Sequence, residues 1–513
     1  MTTTHTPGGA RLMLGFHGRE VTPAFESVLR DTGARGVILF ARNIVDAAQT
    51  RELIADLRSR VSWPLVVAVD QEGGVVVRVA KGATVFPGNM ALGAAGSPEL
   101  ADAQGLESGR QLAAMGFDLN LAPVVDLQTN PANPGIGVRS LGADIDRAAR
   151  LAEGLVRGHD AAGVTSCLKH FPGKGAASVD AHKDLPVLDL ALEQFHYPHI
   201  EIFERLFRSC PSAAVMTSHI MVTGLDSELP ATLSSKATRE MIRERLGCRG
   251  LILTDDLEMG AIVKHWGIPD ATERSIAAGH DVVLICHEAD RQRAAAERLE
   301  EALAAGRLSR AEHEDSVRRI EAISRRGATL ALPDPTDGNS LAARIAQSAV
   351  HLFGDAKSLL PIRPTQRTVA IAFRPRSVVG VEEAEGGGFE AAIQAALASA
   401  GLTHVELIPL DLSETDADDF KLPDACASAD RVLLFTWDAR SQPRVRRWLD
   451  ASCRELASRL VVLHLRNPFD QALVPPGVTA LTAFGYQSVQ LRALAKVLTG
   501  QASATGRMPA PLA

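Results

Sequence analysis

Eight short apolar runs in the first 330 or so residues, each ending in polar or ionisable side chains, constrain this chain more than any other feature. They are Leu12 to Phe16, Gly36 to Phe40, Leu65 to Val69, Leu119 to Val125, Val164 to Leu168, Ala213 to Thr217, Leu251 to Thr254 and Asp281 to Ile285. Most are continuously apolar, the pattern of parallel strands covered on both faces. Alternating with Ala-, Leu-, Arg- and Glu-rich helical stretches, they predict an α/β protein with an N-terminal (β/α)8 TIM-type barrel. The strand exits carry His17, Arg42 and Asn43, Asp70 and Glu72, Asp126, Lys169 and His170, Ser218 and His219, Asp255 and Asp256, and His287. Such groups are costly inside a sheet unless paired, and in a barrel these ends converge on the face where active sites form. Any strand leaving a core meets polar loop residues, which explains some of these positions but not so regular a set.

The pattern breaks at Leu332 to Ser340 into Pro, Asp and Gly, and a second series follows: Thr368 to Phe373, Val405 to Ile408, Arg431 to Thr436, Leu460 to Leu465 and Leu481 to Phe484. The expected division is therefore a barrel over residues 1–331, a linker over 332–340, and a C-terminal three-layer α/β sandwich over 341–513. The run Gly386-Gly387-Gly388 precedes a helical stretch and could cradle an anion, but it matches no nucleotide-binding motif and reads more simply as a loop.

Charge and composition narrow the function. Lys+Arg 54 against Asp+Glu 61 gives a net charge of -7, without a long basic run, so nucleic acid and anionic membranes are poor partners. An aromatic fraction of 4% offers no stacking platform for single strands. No apolar run is long enough to span a bilayer, and the N-terminus lacks the basic-then-apolar pattern of a secretory signal. The six cysteines form no C-x-x-C pair or zinc-ligand spacing and read as reduced thiols, so the expected location is cytoplasmic.

Two segments carry chemistry. Lys169-His170-Phe171-Pro172-Gly173-Lys174-Gly175 ends a strand in an irregular loop that delivers Asp180 and His182, two residues apart. A carboxylate beside an imidazole favours the protonated ring and fixes its tautomer, which makes His182 a candidate general acid/base. The other is Thr254-Asp255-Asp256-Leu257-Glu258-Met259. Adjacent acids at a strand end face opposite ways, so one can point into the barrel mouth as a nucleophile or cation stabiliser. Asp255 is expected in that role and Asp256 as a helix N-cap.

With these segments in hand, the chain resembles the bacterial β-N-acetylglucosaminidases of glycoside hydrolase family 3. The resemblance rests on Gly36 to Asn43, Val69 to Gly74 with Arg78, Asn120 to Asp126, Gly137 to Ser140, Lys169 to His182 and Thr254 to Met259, in family order. It continues in Asn467-Pro-Phe-Asp470 and in Thr505-Gly-Arg-Met-Pro509 of the C-terminal part. It implies Asp255 as nucleophile, His182 as acid/base with Asp180 its partner, and Asp70, Arg78, Arg139, Lys169 and His170 as the groups holding N-acetylglucosamine (GlcNAc). It implies an exo-acting retaining enzyme in peptidoglycan recycling, acting on small GlcNAc saccharides, with no cofactor and no metal. Phosphorolysis is a live alternative, because an imidazole does not repel an anionic acceptor as a carboxylate would.

The sequence departs from the family where Lys174 replaces a usual His and Ala181 a usual Ser. That leaves the aglycone preference open. Other readings remain: a metal-dependent hydrolase, disfavoured because His17 stands alone near the first strand; a non-catalytic sugar-binding protein; and a β-glucosidase of the same broad family.

Overall fold

The computed structural model describes residues 6–324, 334, 336–354, 359–374, 388–412 and 421–512. Each of the eight apolar runs of the first part yields a strand: β1 Leu12–Leu14, β2 Gly36–Leu39, β3 Val66–Val69, β4 Leu119–Asn120, β5 Thr165–Phe171, β6 Ala214–Thr217, β7 Ile252–Asp256 and β8 Val282–Ile285. All pair in parallel with their sequence neighbours, and β1 closes on β8. The interior is filled by every other strand residue, among them Met13, Ile38, Val66, Ala68, Leu253 and Leu284. Their neighbours Leu12, Leu14, Val37, Val67 and Val283 face the surrounding helices, which is why the runs are apolar throughout.

Three strands, β4, β5 and β7, end away from their expected exits. β4 ends at Asn120, because Pro123 has no N–H to donate to the ladder, although Val124 still bridges to Lys169. β5 and β7 run on to Phe171 and Asp256. Each carries one extra residue against a neighbour: the register slips between Lys169 and Phe171 along β6, and between Leu253 and Asp256 along β8. Such bulges re-aim side chains at a barrel rim.

The connecting helices start and stop where the sequence says they should. Thr22, Ser97 and Asp144 each accept a backbone N–H of the first turn of helices Pro23–Thr32, Pro98–Met115 and Ile145–Ala161. Pro23 and Pro98 occupy first positions, and Gly33 and Gly116 close the first two helices in the left-handed conformation.

Residues 332, 333 and 335 of the expected linker lie outside the described residues, as do Gly386 and Gly387 of the glycine run. Thr336–Ala349 is a helix. Beyond it a six-stranded sheet takes the order β9 (His351–Phe353), β14 (Thr479–Thr482), β13 (Leu460–His464), β12 (Arg431–Thr436), β10 (Thr368–Phe373), β11 (Val405–Leu410). All pairs are parallel except β9 with β14. The edge strand β9 was not expected; three residues between a helix and a loop give no periodicity to read.

This second unit braces the loops at the barrel mouth. Gln487 donates to the Gly74 carbonyl at 2.8 Å and Gln490 to that of Pro87 at 3.0 Å. The Ala143 N–H donates to Pro509 O at 2.9 Å, and the Arg507 N–H to Ala94 O at 3.1 Å.

Candidate active site

The strand exits surround one cleft of about 650 Å³ at the carboxyl end of the barrel. Seven of the eight residues singled out from sequence line it: Asp70, Arg78, Arg139, Lys169, His170, His182 and Asp255. The eighth, Asp180, stands behind His182, its Oδ1 accepting from the His182 backbone N–H at 3.0 Å and lying 2.8 Å from the ring Nδ1. Burial would raise the Asp180 carboxyl, but its hydrogen bonds to His182 together with the charges of His182 and Lys174 outweigh this and hold it at about 2. An ionised Asp180 keeps the proton on Nδ1 and leaves Nε2 as the working nitrogen.

Asp255 is half-buried, and its desolvation pushes the carboxyl up, yet Lys174 foremost and then His219 and His182 reverse the shift, so it lies below the ordinary range. Lys174 Nζ is 3.6 Å from Asp255 Oδ2. Lys174 is therefore the foremost of the groups that favour the ionised form of this carboxylate. Its position is fixed through the backbone, whose Lys174 N–H donates to Asp126 Oδ1 at 2.6 Å.

Asp256 does not cap a helix. Met259 is the N-cap of the next helix, Gly260–Val263, while Asp256 accepts the Glu258 N–H in a turn at 3.1 Å and sits 3.2 Å from His287 Nε2. Both aspartates border the cleft, because the extra residue in β7 breaks the strict alternation that sends neighbours to opposite faces.

On the other side lies a buried charge network. Lys169 Nζ contacts Asp70 Oδ1 at 2.6 Å and Glu72 Oε1 at 2.7 Å. Arg139 grips both oxygens of Glu72 through Nε and Nη2, at 2.9 and 2.8 Å. Arg78 lies 3.8 Å from Asp70. Burial would raise Glu72, but Arg139 and Lys169 hold it at about 2; burial would lower Arg139 and Lys169, but their acidic partners raise both. The donors and acceptors of this network are held by one another, an arrangement that suits recognition of hydroxyl groups.

His170 is oriented by Asp126, whose Oδ2 lies 2.7 Å from Nδ1. Burial pushes the His170 ring well down and Asp126 up to about 6. Glu72 and Asp126 stood among the strand-exit residues but were given no role; a buried acid reveals its function only when its partners are seen. Asn133 was not singled out at all. Its side chain donates to the carbonyls of Lys174 at 2.7 Å and Ala177 at 2.8 Å, clamping the loop that carries Lys174, Asp180 and His182.

The same loop has no room to spare at Gly175, where an added Cβ would lie 1.7 Å from the Leu127 carbonyl oxygen. Gly175→Ala is expected to destabilise the protein by about 1–3 kcal/mol through overpacking. A thermal melting curve unchanged from wild type would refute that close fit.

Among the described residues, no group of three or more His, Cys, Asp or Glu is arranged to hold a metal ion. No helix there is long and apolar enough to cross a membrane.

Comparison with known proteins agrees with this fold. A solved family 3 β-N-acetylglucosaminidase from Paenibacillus sp. str. FPU-7 superposes with a TM-score of 0.91 at 32% identity, over 100% of this chain and 99% of that one. β-Hexosaminidase A of Pseudoalteromonas piscicida is 32% identical over 376 residues, covering 66% of this chain but only 62% of that relative. A β-hexosaminidase of Xylella fastidiosa (strain M23) is 36% identical over 282 residues, 54% of this chain and 83% of its own. Residues 13–323 match the glycosyl hydrolase family 3 N-terminal domain, and the chain belongs to that family.

Proposed function

We propose that this protein is an exo-acting, retaining β-N-acetylglucosaminidase that removes terminal GlcNAc from β-linked glycosides. The observation that carries this reading is the pairing, across one cleft, of an ionised Asp255 with an Asp180-oriented His182, beside a preformed polar network. In this reading Asp255 attacks the anomeric carbon through an oxocarbenium-like transition state and forms a covalent glycosyl intermediate. Protonated His182 gives its Nε2 proton to the departing oxygen, and the neutral ring then takes a proton from the attacking water. Asp70, Arg78, Arg139, Lys169 and His170 hold the terminal sugar. Relatives named β-hexosaminidase and β-N-acetylglucosaminidase support the substrate class.

Peptidoglycan-fragment recycling belongs to this reading and rests on the family resemblance. A cytoplasmic location belongs to it as well, and six buried, unpaired cysteines fit a reducing compartment.

The test is turnover of aryl β-glycosides of GlcNAc and of glucose. The reading requires preference for the GlcNAc compound; a protein inert on every GlcNAc glycoside, or faster on glucosides, would contradict it. His182→Ala is expected to slow cleavage by about 10²–10⁴-fold for a poor leaving group that needs a proton, and less for an activated aryl group. Equal losses on both would argue against the acid role.

Phosphorolysis is the second reading. It is favoured by the imidazole of His182 on the acceptor side, which does not repel an anion as a carboxylate would, with Lys174 adding positive charge to the same cleft. GlcNAc-1-phosphate forming faster than free GlcNAc when phosphate is added would replace hydrolysis with it.

A further inference from the structure

A second concavity, of about 290 Å³, lies along the seam where the C-terminal segment crosses the barrel's outer helices. Three guanidinium-bearing residues line it: Arg147 and Arg150 from helix Ile145–Ala161, and Arg507 from the closing Thr505-Gly506-Arg507-Met508-Pro509 segment. Arg147 and Arg150 are three residues apart and so share a helix face. Arg507 is brought to them by its backbone N–H, bonded to Ala94 O, and by the Gly506 N–H, bonded to Val350 O.

No carboxylate among the described residues lies within ion-pair distance of these three side chains. Three of the carboxylates close to them in sequence or beside the wall make other contacts. Asp144 accepts the Arg147 backbone N–H, Asp146 pairs with Arg205, and Glu99 takes the Ser97 hydroxyl at 2.7 Å. The contrast on the same helix is direct, since Arg157 pairs with Asp102 at 2.9 Å. Three guanidinium groups thus line one concavity, Arg147 half-buried and Arg150 and Arg507 exposed, and none has an ion-pair partner among the described residues. The turn Gly96 to Pro98 on the same wall begins the helix Pro98–Met115, whose positive dipole end adds to the field.

We propose that this concavity binds a phosphate-bearing small molecule through Arg147, Arg150 and Arg507. Guanidinium forks match phosphate oxygens two at a time, and three of them suit a multiply charged oxyanion better than a lone carboxylate. The ligand bridges a barrel helix and the C-terminal segment, so it stabilises their docking and raises the melting temperature with concentration.

The test is calorimetric titration and thermal melting of the full-length protein with pyrophosphate, with ADP and malonate in parallel. Wild type is expected to bind pyrophosphate and melt higher. The double variant Arg150→Gln/Arg507→Gln is expected to bind at least tenfold more weakly while keeping its own melting temperature and its glycoside turnover. Arg147→Gln alone, and Arg507→Lys, which keeps the charge but loses the fork, are expected to show intermediate losses. ADP binding more tightly than pyrophosphate would identify a nucleotide as the source of the phosphate, and the reverse order a free oxyanion; both support the site. Failure of wild type to bind either would overturn the proposal. So would undiminished binding by the double variant, which would place the anion among the cations of the catalytic cleft, or malonate binding as tightly as pyrophosphate.

Discussion

Asp255→Ala is expected to lower turnover of a GlcNAc β-glycoside by at least about 10³-fold, the scale of loss when a covalently acting residue is removed. The expectation follows from what surrounds the carboxylate. Burial alone would favour its neutral form and blunt it as a nucleophile, but Lys174 and two imidazoles hold it ionised. Its neighbour is the internal control. Asp256 borders the same cleft, yet it contacts His287 and the Glu258 N–H and is not approached by Lys174. Asp256→Ala is therefore expected to cost far less. Steady-state kinetics on purified, folded variants decide the matter, and equal losses at the two positions would remove the distinction drawn between them.

Glu72→Gln is expected to destabilise the fold by about 3–5 kcal/mol and to disable the side of the cleft proposed to hold the sugar. Glu72 is the shared counterion of Lys169 and Arg139, and all three side chains are at most 4% exposed. Removing one member of such a buried set leaves charges without compensation, which costs far more than the intact set contributes. The solvent-exposed Arg157–Asp102 pair makes an equally short contact, and its loss is expected to have little effect. The pH dependence follows from the Glu72 carboxyl, held at about 2 against an ordinary 4.5. A depressed carboxylate contributes stability that is present above its ordinary value and is lost as pH falls through its folded value, and Glu72→Gln abolishes that contribution. Urea unfolding of both proteins across acidic pH measures it; a variant as stable as wild type at neutral pH would contradict the account.

Much of this is legible in the sequence alone. Strands such as Gly36–Leu39 and Ile252–Asp256 announced themselves because both faces are buried, so hydrophobicity is continuous and the exit is abrupt. The same abruptness exposed Asp70, Lys169, His170 and Asp255. What stayed hidden depends on pairing across long sequence separations. The grip of Arg139 on Glu72 joins residues 67 apart, and the clamp of Asn133 on Lys174 joins residues 41 apart, with no periodicity to betray either. Asp256 was misread for a local reason, since alternation was assumed where β7 carries an extra residue. The second unit's support of the mouth, through Gln487 and Gln490, has no local signature at all.

The central claim is that Asp255 becomes glycosylated during turnover. The direct measurement is mass spectrometry of peptides from enzyme quenched while turning over an activated aryl GlcNAc β-glycoside, using His182→Ala so that water attack on the intermediate is slowed. The account predicts a GlcNAc adduct on the peptide carrying Asp255, which disappears in Asp255→Ala. Sustained turnover with an adduct on another residue, or with none at Asp255 under conditions where aryl release shows a burst, would contradict it.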